Sequence, residues 1–374
     1  MNIGFDAKRA FCNSRGLGNY SRDTIRLLSE QFPANHYSLF TPRINESIRW
    51  SYNTECASTE LPQGIFSKKL FSSLWRTKNI CEDIKRLNID IYHGLSHELP
   101  YGIEKTGTKT VVTMHDLIFL KNPELFPLFD RYSFKKKYTH GCKTADRVIA
   151  ISEETKRDLI EFIQEDESRI DVVYQGCNPI FHQPVEEREL EEVKKRFSLP
   201  NQFMLIICAI ERRKNHELIL KAMRNPQLDI PLVIVGRPSE YKNHLDELIH
   251  EYHLENHVIF LDAMPTEALP ALYKLASVFV YPSLFEGFGI PILESLTMGT
   301  PVVTSKGSCF RETGGDAARY IDNSDADQLA ATLIDILQHE DLQQEMVAKG
   351  FAHAQKFSDE SIARNLMSVY NKIL

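Results

Sequence analysis

The chain has 374 residues, 43% of them hydrophobic and 25% charged, with a formal net charge of -7. That balance suits a folded protein of two domains and excludes a mainly disordered one. The longest apolar run, residues 203–210, is far short of the roughly 20 residues of a membrane-spanning helix, and an acidic chain is a poor nucleic-acid binder.

The opening MNIGFDAKR has no apolar core of a secretory signal. Seven cysteines without a C-x-x-C pair argue against a disulfide framework and a structural zinc site. These features predict a cytoplasmic location. Residues 1–180 hold 25 Lys+Arg and 23 Asp+Glu, while the remainder holds 19 and 28, so the acidity lies in the second half.

In chain order, strands are expected at 2–6, 37–40, 89–94, 108–116, 146–152 and 169–174. Helices are expected at 19–31 and at 152–164, the latter capped by Ser152. The second half repeats the rhythm, with strands at 203–209, 231–236, 257–262, 277–282, 300–305 and 318–322. These are continuous apolar runs, as in parallel strands buried on both faces. Strands alternating with helices predict an α/β architecture. A boundary is expected in CNPIFHQPVEE, residues 177–187, giving domains 1–180 and 181–357. Residues 358–374 read as a terminal helix capped by Ser358. A ligand site is expected in a cleft between the domains.

Four strings carry the chemistry. In YPSLFEGFGIPILESLTMGTPVVTS, residues 281–305, a strand leads into a loop and then a helix whose start suits an anion. Glu286 in the loop and Glu294 on the helix could each grip hydroxyls. In ICAIERRKNHELILKA, residues 207–222, Arg212, Arg213 and Lys214 follow a buried strand, where a diphosphate would balance them. GLGNY, residues 16–20, offers Gly16 and Gly18 after the first strand but lacks a full dinucleotide fingerprint. VVTMHDLIF places His115 and Asp116 at a strand's carboxyl end, and His93 has a similar place. Asp325-Ala326-Asp327 is a D-x-D string better read as a helix N-cap than as a metal site; no metal and no cofactor are expected.

These strings resemble the retaining glycosyltransferases of family 4, with EGFGIPILE similar to the family's E-x7-E motif and ERRKNHELILKA similar to its E-P-R-K-N segment. The resemblance implies the GT-B fold: two facing Rossmann-like domains, a catalytic cleft between them, and a last helix crossing back to the first domain. It implies a nucleotide sugar on the C-terminal domain and an acceptor on the N-terminal one. Arg213 and Lys214 would hold the diphosphate, and Glu294 the ribose. Glu286 with the backbone of Phe288, Gly289 and Ile290 would hold the donor sugar. Gly16 and Gly18 would line the phosphate side, His115 would lie beside the transferred sugar, and His93 and Asp116 on the acceptor side. The nearest branch assembles bacterial polysaccharides such as lipopolysaccharide and is rich in mannosyltransferases, implying a hexose moved from GDP-mannose to a saccharide or lipid-linked saccharide. Alternatives are UDP-sugar-dependent glucosyl-, galactosyl- or N-acetylglucosaminyltransferases, a GT-B epimerase or phosphorylase, and a non-catalytic nucleotide-sugar binder. No carboxylate stands out as a covalent nucleophile, so retention is implied by the family.

Two stretches combine cations with aromatics. They are 66–80, with Phe66, Lys68, Lys69, Leu70, Phe71, Leu74, Trp75, Arg76 and Lys78, and 129–138, with Phe134, Lys135, Lys136, Lys137 and Tyr138. Such faces predict peripheral contact with an anionic membrane at the inner face of the cytoplasmic membrane.

Overall fold

The computed structural model describes residues 1–48, 50–262 and 264–374, with the backbone alone at Lys69 and Leu70. The chain divides into two compact units, Met1–Gln175 with Ser358–Leu374, and Gly176–Phe357. The first break falls just ahead of the proline-bearing stretch 177–187.

The first unit is built on β1 (Asn2–Asp6), β2 (His36–Phe40), β3 (Ala57–Glu60), β4 (Ile91–Gly94), β5 (Lys109–Met114), β6 (Arg147–Ala150) and β7 (Ile170–Val172). Their order is β3-β2-β1-β4-β5-β6-β7, and every pairing is parallel. β3 is the one strand the apolar runs did not predict. Its sequence is Ala-Ser-Thr-Glu, and it lies at the sheet's edge, where only Ala57 is buried; an edge position demands little apolar surface.

The second unit carries β8 (Met204–Ile207), β9 (Leu232–Val235), β10 (Val258–Leu261), β11 (Val278–Tyr281), β12 (Val302–Ser305) and β13 (Arg319–Ile321). The order is β10-β9-β8-β11-β12-β13, again all parallel. In each sheet the first strand is internal, and the strand order reverses beside it, at β1/β4 and at β8/β11. Open α/β sheets bind ligands at the carboxyl ends of such a reversal. The residues that follow β1, β4, β8 and β11 therefore lie at those reversal points.

Ser152 caps the helix Glu153–Asp158, accepting from the Thr155 amide at 3.0 Å. The terminal helix Asp359–Asn371 is capped by Ser358 and belongs to the first unit. There Tyr370 Oη meets His93 Nδ1 at 2.7 Å, Arg26 pairs with Asp359 at 2.9 Å, and Lys372 pairs with Asp171 at 2.5 Å.

Two expectations need correction, and a third element starts earlier than its expected residue 19: the helix Gly16–Gln31 begins at Gly16 itself. Gly18 sits so tightly against the preceding turn that a Cβ would lie 1.8 Å from the Asn13 carbonyl oxygen, whereas Gly16 is uncrowded. His93 is fully buried, with both ring nitrogens bonded, so it presents nothing to an acceptor. The stretch 66–80 does not present one exposed amphipathic face. After the turn Gly64–Ser67 it is helical from Lys69, widens at Trp75–Asn79 and continues as Ile80–Arg86. Trp75 is buried and donates to Asp83 at 2.8 Å, and Arg76 turns inward to Asp6 and Glu98. The side chains of Lys69 and Leu70 lie outside the described residues.

The second basic stretch lies on the helix Leu128–Thr144. Tyr138 stacks on His97 at 4.2 Å, Phe134 packs on Phe119, and Lys137 pairs with Glu98 at 3.1 Å. The helix start is different: Leu128, Phe129 and Tyr132 are 77%, 80% and 72% exposed, with Lys135 and Lys136 exposed one turn on.

The two glycines should separate in a melting experiment. Gly16→Ala should be neutral or stabilise by up to about 1 kcal/mol, since Ala is the better helix former. Gly18→Ala should destabilise by about 1–3 kcal/mol through overpacking. Equal melting temperatures would contradict this packing.

Candidate active site

β8 leads into the short turn Arg212–Lys214, closed by Asn215 in the left-handed region at φ 59°. β11 ends at Tyr281 and leads into the loop that carries Glu286. Neighbouring strands thus deliver both segments to one place, and the loops are tied together: the Leu284 amide donates to the Arg213 carbonyl at 2.9 Å, with Ser283 Oγ 3.1 Å from the same oxygen.

Four donors converge on Glu286 Oε1. They are Arg213 Nη1 at 3.1 Å, Ser283 Oγ at 2.7 Å, Tyr281 Oη at 3.1 Å, and the Lys214 ammonium. Among the described residues, Glu286 Oε2 receives no hydrogen bond. Lys214 is buried, donates to Tyr281 Oη at 2.6 Å, and sits 4.9 Å from that ring's centre. Arg213 also donates from Nε to Glu211 at 3.0 Å. Burial pushes the Glu286 pKa up, but Lys214 and Arg213 outweigh it and hold the carboxyl at about 2. It is a carboxylate at any working pH.

The loop then turns into the helix Ile290–Thr297 through Gly289, whose φ of 94° favours glycine. Ser308 Oγ donates to the Glu286 carbonyl at 3.1 Å, and the Thr313 hydroxyl donates to that of Phe288. The helix start has Pro291 in its first turn, no side-chain cap and no first-turn acid. Its amides and dipole favour an anion beside Gly289 and Ile290. Glu294, one turn along, has another environment. Its only hydrogen-bond donor among the described residues is Tyr273 Oη, at 2.8 Å, and no cation pairs with it. Burial pushes its pKa up to about 7, with the Tyr273 bond a smaller opposing effect.

In the first unit, His115 follows β5. Its Nε2 lies 2.9 Å from the Leu95 carbonyl, which can only accept, so that nitrogen carries the proton. Burial pushes the ring's pKa down to about 4, leaving a neutral imidazole with Nδ1 as an acceptor. The His115 amide donates to His97 Nε2 at 3.1 Å, fixing the turn. Asp116 accepts from the Ile118 amide at 3.3 Å, a local turn bond. Gly16 and Gly18 lie in the first turn of their helix. Asp325 caps the helix Ala326–Gln338, accepting from the Gln328 amide at 2.8 Å. Among the described residues no group of three or more His, Cys, Asp or Glu side chains is placed to hold a metal ion.

Two family models match the chain. Glycosyltransferase Family 4 covers residues 16–180, and Glycosyl transferases group 1 covers residues 187–353. O-antigen chain mannosyltransferase B of Escherichia coli is 30% identical over 286 residues, which is 75% of this chain and 74% of that protein. The chain is a family-4 glycosyltransferase. A second relative, the serotype-specific mannosyltransferase WbdA of Escherichia coli, is 27% identical over 79% of this chain, and the matched region spans only 37% of that longer protein. Among solved structures, a glycosyltransferase from Rickettsia africae superposes with a TM-score of 0.77 at 20% identity, covering 100% of this chain and 98% of that one. The two parallel sheets and this likeness establish the GT-B fold for the transferase.

Within the transferase, the second unit joins Arg213, Lys214 and Glu286 directly, and the helix that follows carries Ile290 and Glu294. The sequence singled out neither Tyr281, Ser283 and Ser308, which orient Glu286 and its loop, nor Tyr273, the partner of Glu294. Tyr281 and Ser283 stand inside the quoted string, yet only the sheet's geometry shows that their hydroxyls point at the carboxylate.

Glu294 makes a signed prediction. An acid whose folded pKa of about 7 exceeds its ordinary 4.5 binds more protons when folded. Stability is then highest below about 4.5 and is lost as pH rises through about 7. Glu294→Gln should remove that slope and melt higher than the wild type at pH 8. A variant melting lower at pH 8 would contradict the isolation of this carboxyl.

Proposed function

We propose that this enzyme transfers a hexose with retention, mannose from GDP-mannose being the donor reading. The acceptor is a saccharide or lipid-linked saccharide in the assembly of a cell-surface polysaccharide such as lipopolysaccharide. The observation that carries the reading is the pairing of Arg213 and Lys214 with one ionised oxygen of Glu286 at the β8/β11 reversal. The names of the two mannosyltransferase relatives support the sugar and the process.

In this reading the second unit, Gly176–Phe357, binds the nucleotide sugar, and the first, Met1–Gln175 with Ser358–Leu374, binds the acceptor. The diphosphate takes the N–H groups of Arg213 and Lys214 that Glu286 leaves unused, together with the amides at Gly289 and Ile290. Glu286 Oε2 accepts from hydroxyls of the donor sugar, and Glu294 from the ribose. As the bond from sugar to phosphate breaks, the sugar becomes oxocarbenium-like and charge grows on the leaving diphosphate. Preplaced cations and a helix start stabilise that charge without reorganising. The bare Nδ1 of His115 takes a hydroxyl of the transferred sugar. The acceptor hydroxyl attacks from the face the diphosphate leaves and gives up its proton to it, so configuration is retained without a protein nucleophile.

Arg213→Ala and Lys214→Ala should each lower turnover by roughly 10²–10³, measured as nucleoside diphosphate release with GDP-, UDP-, dTDP- and ADP-sugars offered in turn. Near-normal rates in both variants would sink the assignment, and a UDP-sugar as the sole donor would replace mannose. We also propose that transfer needs no metal. Activity should survive excess EDTA, with Asp327→Asn silent; loss restored by manganese or magnesium would contradict this.

Peripheral contact with an anionic membrane belongs to the same proposal, now carried by the start of the helix Leu128–Thr144. Leu128, Phe129 and Tyr132 offer apolar area, and Lys135 and Lys136 add about 1 kcal/mol each near an anionic surface. Among the described residues no helix is long and apolar enough to cross a membrane. The wild type should sediment with phosphatidylglycerol vesicles at low salt, and Phe129→Ser/Tyr132→Ser should not. Equal behaviour would assign this face to something else.

A further inference from the structure

The reversal point of the first sheet holds more positive charge than its acids balance. β1 ends at Asp6, and Arg76 forks onto that carboxylate with Nε at 3.0 Å and Nη2 at 2.5 Å. Its Nη1 reaches Glu98 at 2.7 Å, and Lys137 takes the other oxygen of Glu98 at 3.1 Å. Two acids are thereby matched by two bases, all hydrogen-bonded. Immediately after Asp6, the short helix Lys8–Cys12 adds Lys8 and Arg9. Both are half-buried, and among the described residues neither side chain makes an ion pair or a hydrogen bond. Arg9 Nε is wholly shielded from solvent and has no partner among the described residues.

Cations withdrawn from water without a counter-charge are unfavourable, and folded proteins rarely keep them without a purpose. Burial first, and then the Arg76 charge, pushes the Lys8 pKa down, with Asp6 opposing. Arg9 is near enough to His97 and His115 for its charge to disfavour protonation of both rings, an effect secondary to their burial. The unpaired guanidinium therefore belongs to the same corner as His115. The helix Gly16–Gln31 starts against the Arg9 backbone, with no side-chain cap and no acid in its first turn, and adds positive potential there.

We infer that Lys8 and Arg9 form an anion subsite that binds a phosphate or carboxylate group on the acceptor, beside His115. The inference rests on the proposed assignment of the acceptor to the first unit, but the site's existence can be tested without transfer. Arg9 offers a planar fork for two oxygens of the anion, and Lys8 a point charge.

The test uses the full chain and the variant Lys8→Gln/Arg9→Gln. Removing unpaired, half-buried cations should leave the melting temperature unchanged or raise it; a lower one would mark the pair as structural and overturn the inference. With the donor site saturated by GDP, inorganic pyrophosphate should bind the wild type, and the variant should bind it about ten- to hundredfold more weakly. Equal binding to both would also overturn it. These two readouts stand even if no sugar is transferred, so their failure is separable from failure of the proposed function. In steady state, matched acceptors should be compared: a glycosyl phosphate, a uronate-bearing oligosaccharide and the neutral oligosaccharide. The variant should raise KM for one or both anionic acceptors about tenfold or more and leave the neutral acceptor and the donor unchanged. The more affected of the two names the anion, and Arg9→Lys should recover part of the loss. A rise in donor KM instead would move the subsite to the donor diphosphate and contradict the acceptor assignment.

Discussion

Four hydrogen bonds meet on one oxygen of Glu286, and the rest of the candidate site is arranged around that point. Arg213 and Lys214 come from the turn after β8, Tyr281 from the end of β11, and Ser283 from the loop beyond it. The convergence requires β8 and β11 to be neighbours, which they are because the strand order reverses between them. Breaking a buried pair by removing one partner typically costs about 3–5 kcal/mol, so the two loops have little freedom to separate.

The same constraint explains why two carboxylates eight positions apart are unlike. Glu286 lies among cations and stays ionised; Glu294 has only a tyrosine hydroxyl and is raised to about 7. One acid is held as part of an electrostatic frame, and the other has a single tyrosine donor among the described residues. The first sheet has a parallel at β1/β4, where Arg76 joins Asp6 and Glu98. There the acids are used up, and the surplus falls on Lys8 and Arg9.

Much of this was legible in the sequence, for identifiable reasons. Strands buried on both faces must be apolar throughout, so runs such as residues 203–209 and 300–305 announced themselves, while the edge strand Ala57–Glu60 needed no such run. Caps at Ser152, Asp325 and Ser358 are local and were readable. Arg213, Lys214, Glu286 and Glu294 stood out because charge at a strand's carboxyl end or beside loop glycines is costly without a ligand. What stayed hidden depends on tertiary direction. His93 looks like a strand-end ligand, yet it is consumed by Tyr370, 277 residues away, and by Thr113. Trp75 and Arg76 look like an exposed basic-aromatic face, yet a wide turn swings them inward. Lys8 and Arg9 follow β1 as Arg213 and Lys214 follow β8, but only the structure shows that the acids nearby are already engaged.

The central claim is that Glu286 restrains the two cations while Glu294 takes the nucleotide. Calorimetric titration with the free nucleoside diphosphate tests it most directly, on the wild type, Glu286→Gln and Glu294→Gln. Glu294→Gln should weaken binding by about tenfold or more. Glu286→Gln, which releases Arg213 and Lys214 to the diphosphate, should bind equally or more tightly. Weakening of the same size in both variants would contradict the division of labour on which this description rests.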